Sequence, residues 1–130
     1  MPRARGALSN SSDAAVIDVV QRYAASHLQT NETWFDFTNR GNLYFLLDRD
    51  CPMRQLEVAF YETAGRQRDV IRRIDQNPRI RFALMPPEPI DNTAVDGVPN
   101  RVRAPLVYEY LREHFTPGHE EGGVNFWTRK

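Results

Sequence analysis

Residues 65–85 read Gly65-Arg66-Gln67-Arg68-Asp69-Val70-Ile71-Arg72-Arg73-Ile74-Asp75-Gln76-Asn77-Pro78-Arg79-Ile80-Arg81-Phe82-Ala83-Leu84-Met85, and their apolar period changes partway along. Val70, Ile71 and Ile74 recur at helical spacing. Asn77-Pro78 stops that helix, because proline lacks an amide hydrogen and pushes the residue before it out of the helical region. Ile80, Phe82 and Leu84 then alternate with Arg79, Arg81 and Ala83, the period-two pattern of a strand with one buried face. A helix running directly into a strand points to an α+β fold.

Upstream, Asp48-Arg49-Asp50-Cys51-Pro52 sets a capping carboxylate before a proline, a residue favoured at the first helical position. A helix is predicted from here, with Met53, Leu56, Phe60 and Ala64 as its buried stripe and Gly65 as a C-cap or kink. The stretch to Pro78 is then one kinked helix or two. Trp34-Phe35-Asp36-Phe37, the turn residues Asn39-Arg40-Gly41-Asn42 and the run Leu43–Leu47 read as a β-hairpin. Its second strand would turn Leu43, Phe45 and Leu47 to one face and Tyr44 and Leu46 to the other. Ser11 or Ser12 caps a first helix over about 13–28, where Val16, Val20, Tyr23, Ala24, His27 and Leu28 recur at helical spacing. Residues 1–12, with Arg3, Arg5, Gly6 and several serines, read as a flexible arm ahead of a single domain over 13–130.

Downstream, Pro86-Pro87-Glu88-Pro89 ends the strand, and Ile90 to Arg101 shows no period and reads as a long loop. Pro105 starts a last helix, with Val107, Tyr110, Leu111 and His114 or Phe115 inward, and Thr116-Pro117-Gly118 breaks it. Val124 to Trp127 reads as an edge strand or a docked tail. The expected fold is therefore α+β, a small antiparallel or mixed sheet with a β-hairpin and helices packed mainly on one face.

The 130 residues carry sixteen arginines and one lysine, Lys130, against seventeen acids, for a net charge of zero. Lysine-based covalent chemistry is nearly excluded, and any electrostatic recognition must come from local patches. Coding bias in a GC-rich genome is the favoured account of so lopsided an arginine content. One cysteine, Cys51, allows neither an intrachain disulfide nor a cysteine-based zinc cluster, which favours a reducing, cytoplasmic setting. The longest apolar run is too short to span a bilayer, so no membrane association is expected.

The densest chemical feature is basic. Residues 66–81 hold Arg66, Arg68, Arg72, Arg73, Arg79 and Arg81 with two aspartates, a local charge of +4. Residues 86–100 hold Glu88, Asp91 and Asp96 with no base, a local charge of −3. A guanidinium is a planar, permanent cation that pairs bidentately with carboxylate or phosphate. These arginines either form a solvated face, salt-bridged within the chain and partnered by the acidic loop, or dock an acidic protein partner or nucleic acid. Neutral net charge favours the protein, since binders driven by counterion release are usually basic overall. The two charged segments would also suit a homodimer joined by complementary patches.

Three further constellations carry chemistry. His114, His119, Glu120 and Glu121 fall within eight residues and offer imidazole–carboxylate chemistry, the basis of a competing reading as a small enzyme or metal-dependent protein. Cys51 lies at a predicted helix N-terminus, where the dipole lowers a thiol pKa but the neighbouring carboxylates oppose it, and a structural role is favoured. Asp48, Asp50 and Glu57 would form an acid/base or Mg²⁺ cluster only at the expense of capping by Asp50. Phosphate-loop, nucleophile-elbow, zincin and dithiol motifs are absent. The sequence thus reads as a non-catalytic binding or regulatory protein without a cofactor.

Overall fold

The computed structural model describes residues 11–53, 57–88, 95 and 97–130. The central helix, α3 (Ala64–Gln76), begins at Thr63, whose hydroxyl accepts the Arg66 amide at 3.3 Å, and buries Gln67, Val70 and Ile74. Gly65 therefore lies in its first turn and is not a cap or kink. Upstream of it, Val58–Tyr61 forms a 3₁₀ segment. At three residues per turn, Val58 and Tyr61 share the buried side while Phe60 turns outward, 55% exposed. The expected stripe through Phe60 assumed the α period, and that is why it fails. Cys51 to Met53 is irregular, the Asp50 carbonyl accepts the Thr33 hydroxyl, and Leu56 lies outside the described residues.

Strand β1 (Thr33–Asp36) pairs in parallel with β2 (Ile80–Met85). The expected hairpin partner, Leu43–Leu47, is not a strand: Asn42–Leu46 forms a short helix, α2. Two side chains explain this. The buried Asp36 carboxylate accepts the Thr38 amide and hydroxyl and the Arg40 amide, which curls the chain out of the strand direction. Asn39 then takes a left-handed backbone, φ 59°. This turn delivers Tyr44 to the outer edge of β1, where its hydroxyl donates to the Trp34 carbonyl and accepts the Asp36 amide, both at 2.9 Å. Residues 34 and 36 point their backbone groups away from β2, so one phenol does the work of a neighbouring strand.

A hairpin does exist, later in the chain. Helix α4 (Asn100–Arg103) leads to α5 (Pro105–His114), which passes directly into β3 (Phe115–Glu121), and β3 returns as β4 (Val124–Arg129). Gly122 and Gly123 make the turn with φ of 61° and 83°. The sheet order is β1-β2-β4-β3, parallel between β1 and β2 and antiparallel elsewhere. The last helix ends at His114, ahead of Thr116-Pro117-Gly118 as expected. Pro117-Gly118 then sits in the edge strand beside a register break, where a missing amide hydrogen is tolerated. The tail expected at an edge is β4, central between β2 and β3.

A register shift between β1 and β2 pairs Thr33 with Ile80 and Trp34 with Phe82, leaving Arg81 as the extra residue. Ile80 thus packs with Ala83 and Met85 beneath α3 and α5, while Phe82 and Leu84 pack beneath α1 (Ser11–His27) and α2. The expectation that Ile80, Phe82 and Leu84 share one face fails because of that single bulged residue. The α+β class and the mixed sheet with a hairpin hold, and helices cover both faces. Val107, Leu111 and Phe115 are buried as expected of the last helix, whereas His114 is exposed. Of the expected arm, residues 1–10 lie outside the described residues and Ser11–Ser12 belongs to α1.

Two side chains tie the helices down. Arg129, from the end of β4, donates to the carbonyls of Ile74, Asn77 and Ile80 at 2.8–2.9 Å, closing the C-terminal end of α3. Gln67 donates to the Glu62 carbonyl and accepts the Leu106 amide, both at 2.8 Å, fastening the start of α5 to α3. Among the described residues no helix is long and apolar enough to cross a membrane.

Candidate functional site

The six arginines singled out by their density do not form one surface. Arg66, Arg68, Arg72 and Arg73 ride on α3. Arg66 donates to the Phe60 carbonyl at 3.1 Å and has no acidic partner among the described residues. Arg68 is exposed and makes no side-chain bond among the described residues. Arg72 and Arg73 both reach Asp69, Arg73 through Nε at 3.0 Å. Arg79 lies exposed in the turn before β2, also without a side-chain partner among the described residues. Arg81, displaced by the bulge, stands 3.6 Å from Glu32 and lines a crevice with Tyr23, His27 and Thr128 on the α1 side. Of the acidic segment, Glu88 accepts the Tyr108 hydroxyl, and Asp91 and Asp96 lie outside the described residues. Burial first and that bond second push the Tyr108 phenol up to about 12.

His114 and His119 are not brought together. The Nδ1 of His114 bonds the Tyr110 carbonyl at 2.9 Å and its ring stacks on Tyr110, at the exposed end of α5. His119 sits on β3, where Nε2 meets Glu121 at 2.8 Å. It shares a groove of about 310 Å³ with His27, Tyr23, Arg22 and Ser26, between α1 and the β3–β4 hairpin. Tyr23 stacks on His27 at 3.9 Å and on Phe126 at 3.8 Å. Glu121 also binds Arg22 at 2.6 Å, and the Arg22 and His119 bonds hold its carboxyl below the usual carboxylate range. The His27 Nδ1 faces the Tyr23 carbonyl at 2.9 Å, which only accepts, so that nitrogen donates. The sequence reading paired His119 with its near neighbour. The His27–His119 grouping spans 92 positions and depends on where the hairpin lands on α1, for which no local pattern exists.

Cys51 bonds the Met53 carbonyl at 3.4 Å, and burial, with Asp36 nearby, pushes its thiol up rather than down. It is not an activated nucleophile. Asp48, Asp50 and Glu57 do not gather, and among the described residues no three of His, Cys, Asp and Glu assemble as metal ligands. The carboxylate that sequence reasoning passed over is Asp36. Burial raises its pKa against the hydrogen bonds from Thr38 and Arg40. Around it Tyr44 is fully satisfied, whereas the buried Tyr61 hydroxyl has no partner among the described residues. Burial and the Asp36 charge raise both phenols well above their ordinary value, so both remain protonated.

The arrangement offers a cationic helix face flanked by an aromatic ring and, on the opposite side of the sheet, an imidazole-lined groove. No protein family, curated protein or solved structure matches the chain.

Proposed function

We propose that this chain is a non-catalytic binding domain that docks an acidic protein surface through the arginines of α3. The supporting observation is the charge state of that helix. It carries four arginines and two aspartates, a net charge of +2. Asp69 is shared by Arg72 and Arg73, Asp75 accepts the Tyr110 hydroxyl, and Arg68 has no partner among the described residues. A guanidinium without a local carboxylate keeps its five donors for an incoming one. Phe60 beside Arg66 adds apolar contact, and aromatic and arginine side chains together are the usual anchors of protein interfaces.

A protein partner is preferred to nucleic acid because the whole chain is neutral and Arg81 faces away from the other arginines. For enzyme chemistry from His114 and His119, the groove that holds His119 is lined by His27 and not by His114 among the described residues. The test is fluorescence anisotropy with a labelled glutamate-rich peptide and with single-stranded and duplex DNA and RNA at two salt concentrations. The comparison is wild type against Arg68→Ala/Arg72→Ala. Salt-sensitive peptide binding that weakens in the variant is expected. Tighter binding of a nucleic acid, or no binding of any probe, would sink the proposal.

A further inference from the structure

We infer that the groove between α1 and the β3–β4 hairpin binds one uncharged flat heterocycle with N–H or amino donors on its edge, a small-molecule site separate from the docking helix. Val19, Arg22, Tyr23, Ser26 and His27 supply its α1 wall, at the three- and four-residue spacing of one helix face, and His119 and Glu121 supply the hairpin wall. Its rings share one orientation. His27 and Phe126 stack on Tyr23 at 3.9 and 3.8 Å, at 12° and 15° to its plane. Two rings this close to a third cannot crowd onto one face of it, so they take opposite faces and hold Tyr23 fixed between them. The His119 ring lies 6.1 Å from Tyr23 and 12° from its plane, so the two imidazoles that line the groove are nearly parallel to each other. Parallel ring faces select a flat ligand, which stacks on them without bulk out of its plane.

The polar groups narrow the ligand further. Arg22 is shared by Asp18 at 3.2 Å and Glu121 at 2.6 Å, and Glu121 also accepts from His119 Nε2. An anionic ligand would have to displace a carboxylate from this arginine, so an uncharged one is favoured. The imidazoles are oriented as well. His27 Nδ1 donates to the Tyr23 carbonyl and His119 Nε2 to Glu121, so the neutral rings keep His27 Nε2 and His119 Nδ1 as acceptors. Their complement is a ring edge bearing N–H or amino donors, as purines have. At about 310 Å³ the groove sits at the low end of the small-molecule range of about 300–1,000 Å³, which suits one or two fused rings. A metal ion fits less well, since among the described residues no three of His, Cys, Asp and Glu gather as ligands. A nucleic-acid strand also fits less well, because the arginine lining the groove is already paired twice and cannot follow its phosphates.

The experiment follows the backbone amides of the full chain by nuclear magnetic resonance during titration with adenosine, the same nucleoside without its amino group, adenosine monophosphate and ribose, each to about 1 mM. Adenosine is expected to move the amides of Val19, Tyr23, Ser26 and His119. Ribose should move none, the amino-free nucleoside should bind more weakly, and the monophosphate should bind no more tightly than adenosine. His119→Ala should weaken adenosine about fivefold or more, the effect of removing one stacking ring. His119 is exposed, so the variant should melt as wild type does. If it does not, Ser26→Phe, which places a ring in the groove from an exposed helix position, is read in its place and should block binding. No shift with any nucleoside, shifts confined to residues outside the groove, or adenosine binding untouched by the variant overturns the inference. Equal affinity without the amino group, or tighter binding of the monophosphate, overturns it as well.

Discussion

Replacing Tyr44 with Phe deletes one oxygen and strands two backbone groups at the edge of β1, the Trp34 carbonyl and the Asp36 amide. Both residues are buried, so water does not replace the lost partner. An unsatisfied buried polar group costs about 1–3 kcal/mol, which sets the expected loss for two at about 2–6 kcal/mol. At roughly 3–5 °C per kcal/mol for a domain of this size, the melting midpoint should fall by on the order of 6–30 °C. Tyr61→Phe is the matched control: the same chemical deletion, an equally buried ring, but a hydroxyl without a partner among the described residues. Removing it relieves an unmet hydrogen-bonding demand, so Tyr61→Phe should be neutral to about 1 kcal/mol more stable. Urea denaturation followed by far-ultraviolet circular dichroism measures both, with the slope of the transition checking that the unfolded states match. A Tyr44→Phe loss below about 0.5 kcal/mol would show that the phenol does not hold the edge, as would equal losses in the two variants.

Arg129→Ala should cost about 2–4 kcal/mol, because the Ile74 and Asn77 carbonyls at the end of α3 and the Ile80 carbonyl at the start of β2 lose one charged donor, and amide exchange should speed up over Ile74 to Asn77 first. Uniform exchange across the molecule would refute a local cap. Gly122→Ala should cost about 2–4 kcal/mol, since the new methyl would lie 2.8 Å from Val19 at a φ of 61°. Adding Val19→Ala should recover the steric part alone, and no recovery would argue against the contact. Asp36 should titrate above the ordinary carboxylate value of about 3.9 in a carbon-detected nuclear magnetic resonance titration, because burial outweighs its hydrogen bonds. A raised folded pKa means the native state holds this proton more tightly. The stability it contributes is complete below the unfolded value and is lost as pH rises through the folded one. A midpoint below about 3.9 would show that Thr38 and Arg40 win the competition.

Elements whose apolar period continued without interruption were legible in the sequence: α1, α3 to its stop at Asn77, and α5 from Pro105. The errors cluster where a single side chain overrides the local pattern. Leu43 to Leu47 alternates well enough for a strand, but Asp36 and Tyr44 satisfy the edge first and a helix results. Phe60 falls inward at 3.6 residues per turn and outward at three. Arg81 would stand on the α3 side under strict alternation, and a one-residue bulge sends it to the α1 side, splitting the basic segment. Of the candidate site, the arginines of α3 could be placed from the sequence, because their helix is amphipathic. The groove could not, because His27 and His119 meet only through the docking of the hairpin.

The strand order has a consequence for biosynthesis. Of these four strands the last to leave the ribosome, β4, is the one that separates β2 from β3. Until it arrives, β2 can pair only with β1 and its other edge stays open, with Phe82, Ala83, Leu84 and Met85 lacking their partners. The nascent chain therefore passes through a stage in which a strand buried in the finished fold is an unprotected edge, the species on which holding chaperones act and from which aggregates seed. Closure is a late, long-range event. A ribosome stalled before Val124 should hold a chain that remains protease-sensitive across both faces of the sheet, and release of β4 should convert it in one step.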